Sequence, residues 1–260
     1  MPQTRINFLT VTIKDLQELL CKGETMSVQL VKSYLDRIKE NNETGLQLRA
    51  VQDEPAREEK LFEIARELDD LRSKGTTSLR ILNSVMHITQ RLLSRNGNHR
   101  RQLRPTQLYP PSDAFVIAKL RAAGAIILGK STMTELGNLK SSVEKMGRSA
   151  RGGQAQSAYV EGGYAAGGDP LGSSSGSAIA LSTGWAPGAL GAELSGSLVA
   201  PSGRAAVYCL RPTMGLVSRG GTIPGAKSMD VVGPMAKTAY DVALLLQHIA
   251  ETDPRDAPSG

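Results

Sequence analysis

The sequence predicts an α/β fold, and three observations lead there. Amphipathic helical spacing recurs over residues 12–43, 54–74 and 237–250. A helix starting near 114 runs through a glycine turn into a short apolar strand at 125–128. Two strand-like pieces, 187–192 and 205–210, follow a helix of small residues at 177–186.

In the first segment Leu16, Leu19, Leu20, Leu30, Val31, Leu35 and Ile38 fall at helical spacing, with charges between them. Gly23 is expected to separate two helices, and Ser27 to cap the second. Over 54–74, Leu61, Ile64, Ala65 and Leu68 share one face, and the opposite face is a solvated surface of Glu, Arg and Lys. Ser112 and Asp113 are expected to cap the helix carrying Val116, Ile117 and Leu120. Gly124 ends that helix and Ala125–Leu128 is a buried strand. Residues 147–177 are rich in glycine and serine and read as a long loop. A turn-rich stretch follows 210, and Ala243, Leu244, Leu246 and Ile249 line the buried side of the last helix.

The chain has 260 residues, enough to bury a core, and 40% are hydrophobic but only 4% aromatic, so that core is aliphatic. The formal charge of +6 is local. Residues 71–112 hold eight Lys or Arg and no acid; the rest carries two more acidic than basic residues. Segment 75–112 is anomalous in other ways: its periodicity is weak, apart from a run from Leu79 to Leu93 that suits helix or strand. Five arginines lie between Arg91 and Arg104, but Tyr109 is the lone aromatic there, which gives no stacking platform for nucleic acid. No nucleic-acid partner is expected. Cys21 and Cys209 are isolated, so neither a disulfide framework nor a metal site is expected. There is no membrane-length apolar run, and Met1–Thr10 lacks a signal-peptide pattern, which makes a cytoplasmic location the expectation.

Gly124-Ala-Ile-Ile-Leu-Gly-Lys-Ser131 fits the phosphate-loop pattern G-x-x-x-x-G-K-[ST]. A phosphate cradle needs a strand, a flexible loop and then a helix N-terminus. Here the four intervening residues are themselves a strand and the helix precedes them, so nucleotide binding is set aside.

Chemistry concentrates in two serine-glycine clusters that flank the small-residue helix. One is Gly167-Gly-Asp-Pro-Leu-Gly-Ser173-Ser-Ser-Gly-Ser177, the other Gly191-Ala-Glu-Leu-Ser-Gly-Ser197 with Pro201 beyond it. Both abut apolar, ordered-looking segments, which argues against a flexible linker. A serine nucleophile needs a proton acceptor and backbone N–H donors for the developing oxyanion, and glycine-rich turns expose such donors. A second serine from another loop can relay the proton. His87, His99 and His248 lie in the anomalous segment or on the last helix, so a Ser-His-Asp triad is poorly supported.

These clusters, taken with Asp113–Glu135, Ser149-Ala-Arg-Gly-Gly-Gln154, Arg211-Pro-Thr-Met-Gly-Leu-Val-Ser218 and Asp230–Thr238, resemble the amidase signature family. The resemblance covers about residues 10–74 and 112–256. It implies an α/β fold with a mixed central sheet flanked by helices, and a single amidase-like domain over 1–260 that contributes only part of that fold. It also implies hydrolysis of carbon–nitrogen amide bonds, or transfer of the released ammonia, by a Ser–Ser–Lys triad. By motif Ser197 matches the nucleophile, and Ser173 the middle serine, which in the family follows a cis peptide bond. Leu194, Ser195 and Gly196 match the oxyanion-hole donors, and Gly152, Gly153 and Gln154 would line the substrate side. The partner implied is a small-molecule amide, and no cofactor is implied.

The family's lysine belongs between the helices ending near 74 and starting near 113, but no lysine occurs between Lys74 and Lys119. Arginine cannot replace it, because a guanidinium stays protonated. Lys130 matches a non-catalytic family position. Ala192 stands where the family has threonine, and the chain stops at Gly260 where family members continue. The expectation is therefore weak or absent amidase activity, with 75–112 read in a different frame or splice form. Two alternatives stand beside it: an inactive remnant or binding protein, and a protein resembling the amidase-like component of an amidotransferase.

Overall fold

The computed structural model describes residues 5–53, 58–75, 85–89, 112–138 and 145–256; for Asp53 and residues 85–89 it describes the backbone alone. The five arginines of the basic segment, His99 and the side chain of His87 therefore lie outside the described residues.

Helix α1 (Ile13–Cys21) opens with a capping box: Thr12 Oγ1 accepts the Asp15 N–H and Asp15 returns the bond to the Thr12 N–H, each at 3.0 Å. Helix α2 (Ser27–Asn41) is not capped by Ser27, contrary to expectation. Ser27 is its first helical residue, and its N–H and that of Val28 are accepted by the Asp69 carboxylate at 2.8 and 3.1 Å. Asp69 sits on helix α3 (Glu58–Ser73), so one acid both satisfies orphan amides of α2 and pins the two helices together. Between α2 and α3 runs strand β1 (Val51–Asp53). Asn42 holds it, donating to the Val51 carbonyl and accepting the Val51 N–H, both at 2.9 Å.

Within the Leu79–Leu93 run, the described residues form strand β2 (Val85–Thr89); the rest of the run lies outside the described residues. Helix α4 (Phe115–Ala122) starts after Ala114 with no side-chain cap. Asp113 instead pairs with Arg121 at 2.9 Å, and the Phe115 N–H reaches the Gly220 carbonyl at 3.0 Å. Gly124, at φ 85°, turns the chain into strand β3 (Ile126–Ser131), which runs three residues beyond the expected end. Gly129, Lys130 and Ser131 are thus strand, in parallel register with His87, Ile88 and Thr89, and form no phosphate-binding turn.

The stretch expected as a long loop, 147–177, is more structured. It contains a hairpin of β4 (Arg148–Ser149) and β5 (Gly153–Gln154) and a 3-10 turn at Gly163–Ala166; helix α5 (Ser175–Ser182) starts within it. Strand β6 (Gly188–Glu193), helix α6 (Val199–Arg204) and the two-residue strand β7 (Tyr208–Cys209) follow. Strand β8 (Val231–Ala236) replaces part of the expected turn-rich stretch, and helix α7 (Ala239–Ile249) closes the series.

Six strands form one mixed sheet in the order β1-β3-β2-β6-β8-β7. β2 is parallel to β3 and β6; β1 is antiparallel to β3, and β8 is antiparallel to β6 and β7. Alternate residues of β3 serve opposite faces. Ile126 and Leu128 pack with α2, α3 and Trp185, whereas Ile127 packs with Ile117 and Leu120 of α4 and with Leu245 and Ile249 of α7. Each of these fully buried aliphatic side chains contributes about 1.5–3 kcal/mol relative to exposure. A third cluster places Ala178 and Leu181 of α5 against Ala189, Leu198 and Met235. It sits beneath the turn that carries Ser197.

Among the described residues, no helix is long and apolar enough to cross a membrane.

Candidate functional site

The site is built where α5 and the turn after β6 meet. Gly176, in the first turn of α5, presses on the ends of β1 and β3: a methyl group there would lie 2.3 Å from the Ala50 carbonyl oxygen and 2.5 Å from the Thr132 nitrogen. Gly191 of β6 allows a similar approach, since a methyl group would come within 2.5 Å of Leu198 Cδ2 and 2.8 Å of Ser174 Oγ. These two glycines let the serine clusters close on one another.

The serine run divides by partner. Ser174 Oγ accepts the Ala192 N–H and donates to the Ala192 carbonyl, both at 3.1 Å. Ser175 Oγ donates to the Leu171 carbonyl. Ser177 Oγ donates to the Leu190 carbonyl at 2.9 Å and lies 2.7 Å from Ser131 Oγ, tying α5 to β6 and β3. Ser173 differs. It follows a cis Gly172–Ser173 peptide bond, it is 2% exposed, and its buried Oγ has no hydrogen-bond partner among the described residues. A buried hydroxyl without a partner is uncommon and carries a desolvation cost.

Ser197 is 8% exposed and sits in the turn between β6 and α6. The Ser174 N–H donates to the Ser197 carbonyl at 3.0 Å, so the backbones on which Ser173 and Ser197 stand are joined one residue from Ser173. The Ser173 carbonyl in turn accepts the Thr134 N–H at 3.1 Å. Leu194, Ser195 and Gly196 form the bend just before Ser197, with Gly196 at φ 77°. Their N–H groups donate to no acceptor among the described residues.

The bend is held by Glu193, a residue to which the serine motif assigns no role. Glu193 is the last residue of β6 and is 4% exposed. Its Oε2 accepts the Leu198 N–H at 2.7 Å and the Val199 N–H at 3.1 Å; its Oε1 pairs with Arg211 Nε at 3.0 Å. One carboxylate thus caps the start of α6 and clamps both sides of Ser197. The signal in the sequence is an acid four residues before the serine, at the end of an apolar strand.

The Gly152, Gly153 and Gln154 segment lies on the β4–β5 hairpin, whose base meets the Ser173 loop. The Gly147 N–H donates to Thr134 Oγ1 at 2.9 Å, and a methyl group at Gly147 would lie 2.8 Å from Pro170 and 3.2 Å from Ser175 Oγ. Gly152 packs beside Gln52 and Thr132, and its N–H donates to Ser149 Oγ at 2.9 Å. Gln154 Nε2 donates to the Met146 carbonyl at 2.7 Å and to that of Ala155 at 3.0 Å, leaving a buried Oε1 without a partner among the described residues. His248 stands apart on α7, where burial and the nearby Lys119 hold its pKa below the usual histidine value. Lys130 is buried on β3, 2% exposed.

The family model described as Amidase matches residues 105–260. A putative amidase of Arthroderma benhamiae is 33% identical over 97% of this chain, and the match takes in 41% of that protein. A glutamyl-tRNA(Gln) amidotransferase component of Marinobacter nauticus is 33% identical over 95% of this chain and 48% of its own length. Among solved structures, native peptide amidase from Stenotrophomonas maltophilia superposes with a TM-score of 0.87 at 33% identity, covering 97% of this chain and 50% of that one. The chain therefore spans about half the length of the relatives it matches. A family match over more than half its residues, together with a shared α/β fold, places the chain in the amidase signature family.

Proposed function

We propose that the two serine loops form an acyl-transfer site for carbon–nitrogen amide bonds, with Ser197 as nucleophile and Ser173 as proton relay. The observation that carries this is the Ser174 N–H to Ser197 carbonyl bond, which brings the Ser173 hydroxyl, without a partner among the described residues, to the loop of Ser197. In the forward step Ser197 Oγ bonds to the amide carbonyl carbon, and its proton passes through Ser173 toward a base. The tetrahedral oxyanion is met by the N–H groups of Leu194, Ser195 and Gly196. The C–N bond then breaks, the amine leaves with a proton, and water hydrolyses the acyl-serine. Gly152, Gly153 and Gln154 line the substrate side.

The base is the weak point. With no lysine between Lys74 and Lys119, the relay ends without its family acceptor. Loss of a triad member lowers rates by orders of magnitude but leaves a residual contribution from the oxyanion donors. The reading is a serine site that keeps its geometry and little turnover, equivalent to a remnant that still binds amides. Purified protein is expected to hydrolyse simple amides far below ordinary enzyme rates, and turnover at ordinary rates overturns this.

A second reading, one component of an amidotransferase, draws on the 42% identity over 150 residues to a glutamyl-tRNA(Gln) amidotransferase component of Alkaliphilus metalliredigens. It requires partner chains, and recovery of a stable complex from the native source would favour it.

A further inference from the structure

Helix α6 begins two residues after Ser197 and ends at Arg204. Arg204 is partly buried, and no carboxylate pairs with it among the described residues. Its guanidinium is committed to backbone instead: Nε donates to the Asp169 carbonyl at 2.9 Å and Nη2 to the Gly167 carbonyl at 3.1 Å. Those carbonyls lie on the loop that enters the Gly172–Ser173 bond. The loop belongs to no strand, and it contains left-handed residues at Gly167 (φ 89°) and Leu171 (φ 57°). Asp169 Oδ1 accepts the Leu171 N–H at 2.8 Å, so the second clamped residue itself shapes the approach to Ser173. Next to Arg204, the Ala205 carbonyl accepts the Tyr159 hydroxyl at 3.0 Å, which adds a second tie to the same end of α6. At the other end, Ser197 is bonded through its carbonyl to the Ser174 N–H. Helix α6 thus acts as a strut joined to the Ser173 loop at both ends.

We infer that Arg204 is a positioning residue of the serine site: it fixes the 167–172 loop against α6 and so sets Ser173 against Ser197. The inference rests on the proposed pairing of these two serines. The side chain suits the task, since a guanidinium is a planar fork of donors that reaches two carbonyls two residues apart, whereas an ammonium is a single point. Charged donors also make stronger bonds to carbonyls than neutral ones.

The test compares wild type with Arg204→Met and Arg204→Lys by residue-resolved amide hydrogen exchange. The Ser174 amide reads the joint between the serine loops, and the Gly168 amide reads the clamped loop. Expected in Arg204→Met is exchange at Ser174 at least about tenfold faster, with α2 and α3 amides unchanged. Faster exchange at Gly168 alone, with Ser174 as in wild type, overturns the proposal. If Arg204→Met does not fold, Arg204→Lys decides by the same criterion, since it keeps the charge and loses the fork.

A fluorophosphonate probe gives the second readout. Where wild type is labelled at Ser197, Arg204→Met is expected to label at least about tenfold more slowly, and to have no further effect in a Ser173→Ala background. Equal or additive effects overturn the positioning role. If wild type takes no label at all, the proposed chemistry fails while the exchange experiment still decides the role of Arg204.

Discussion

Replacing Glu193 with alanine is expected to lower stability and dismantle the turn of Ser197. The change removes the acceptor of two amides, one belonging to fully buried Leu198 and the other to Val199, which is 53% exposed. Hydrogen bonds to a charged group contribute about 1.5–3 kcal/mol each, and with one of the pair near solvent the lower end applies, giving about 3 kcal/mol. The ion pair with Arg211, whose side chain is 38% exposed, adds less than about 1 kcal/mol. In a chain of this size each kcal/mol moves the midpoint by about 2–4 °C, so Glu193→Ala should melt about 6–12 °C lower. Arg211→Ala should melt no more than about 4 °C lower. Thermal unfolding followed by circular dichroism measures both. An unchanged midpoint in Glu193→Ala, or an equal loss in Arg211→Ala, would refute the assignment of Glu193 as the clamp.

Gly176→Ala should destabilise more than Gly191→Ala in urea titrations. The first puts a methyl group against fixed backbone at 2.3 Å, whereas the second meets mainly side-chain atoms; about 1–3 kcal/mol is expected for overpacking at Gly191. Stability should rise with pH above 8. Burial, reinforced by the Arg37 charge, lowers the Lys237 pKa to about 8, so the unfolded chain binds more protons between there and the ordinary lysine value. Burial raises the Tyr34 pKa, so ionisation of the unfolded tyrosine should take stability away above about pH 10. In pH-dependent melts Lys237→Met should flatten the rise and Tyr34→Phe the fall. Burial lowers the His248 pKa, so stability should decline as pH drops below about 6.5, and His248→Gln should weaken that decline.

The helices were legible because periodicity alone sets their faces. Leu16, Leu30, Leu61 and Ile117 are buried in the cores that their spacing predicts, but on α7 the expected side holds only at Ile249: Ala243 is exposed, Leu244 and Leu246 are partly buried, and Val242 and Leu245 face the core instead. Strand β8 was not legible. Gly233 and Pro234 look like a turn, and all six of its residues are buried, which removes the alternation that marks a half-exposed strand. Pro234 is accommodated opposite Leu190, and its carbonyl still accepts the Leu210 N–H. The α2 cap failed for a related reason, since the acid that satisfies Ser27 and Val28 comes from α3. Within the site, the motif singled out Ser173 and Ser197. That Ser174, Ser175 and Ser177 are committed to Ala192, Leu171 and Leu190 depends on tertiary neighbours. The same holds for the Glu193 clamp and the Arg204 strut, whose backbone partners no sequence pattern marks.

The most direct test of the account is mass-spectrometric mapping of a fluorophosphonate adduct, with and without a small primary amine such as ethylamine. A slow adduct on Ser197, absent in Ser197→Ala, is expected to form faster when the amine supplies the base missing from the proposed relay. An adduct on another residue, or none at Ser197 even with the amine present, would contradict it.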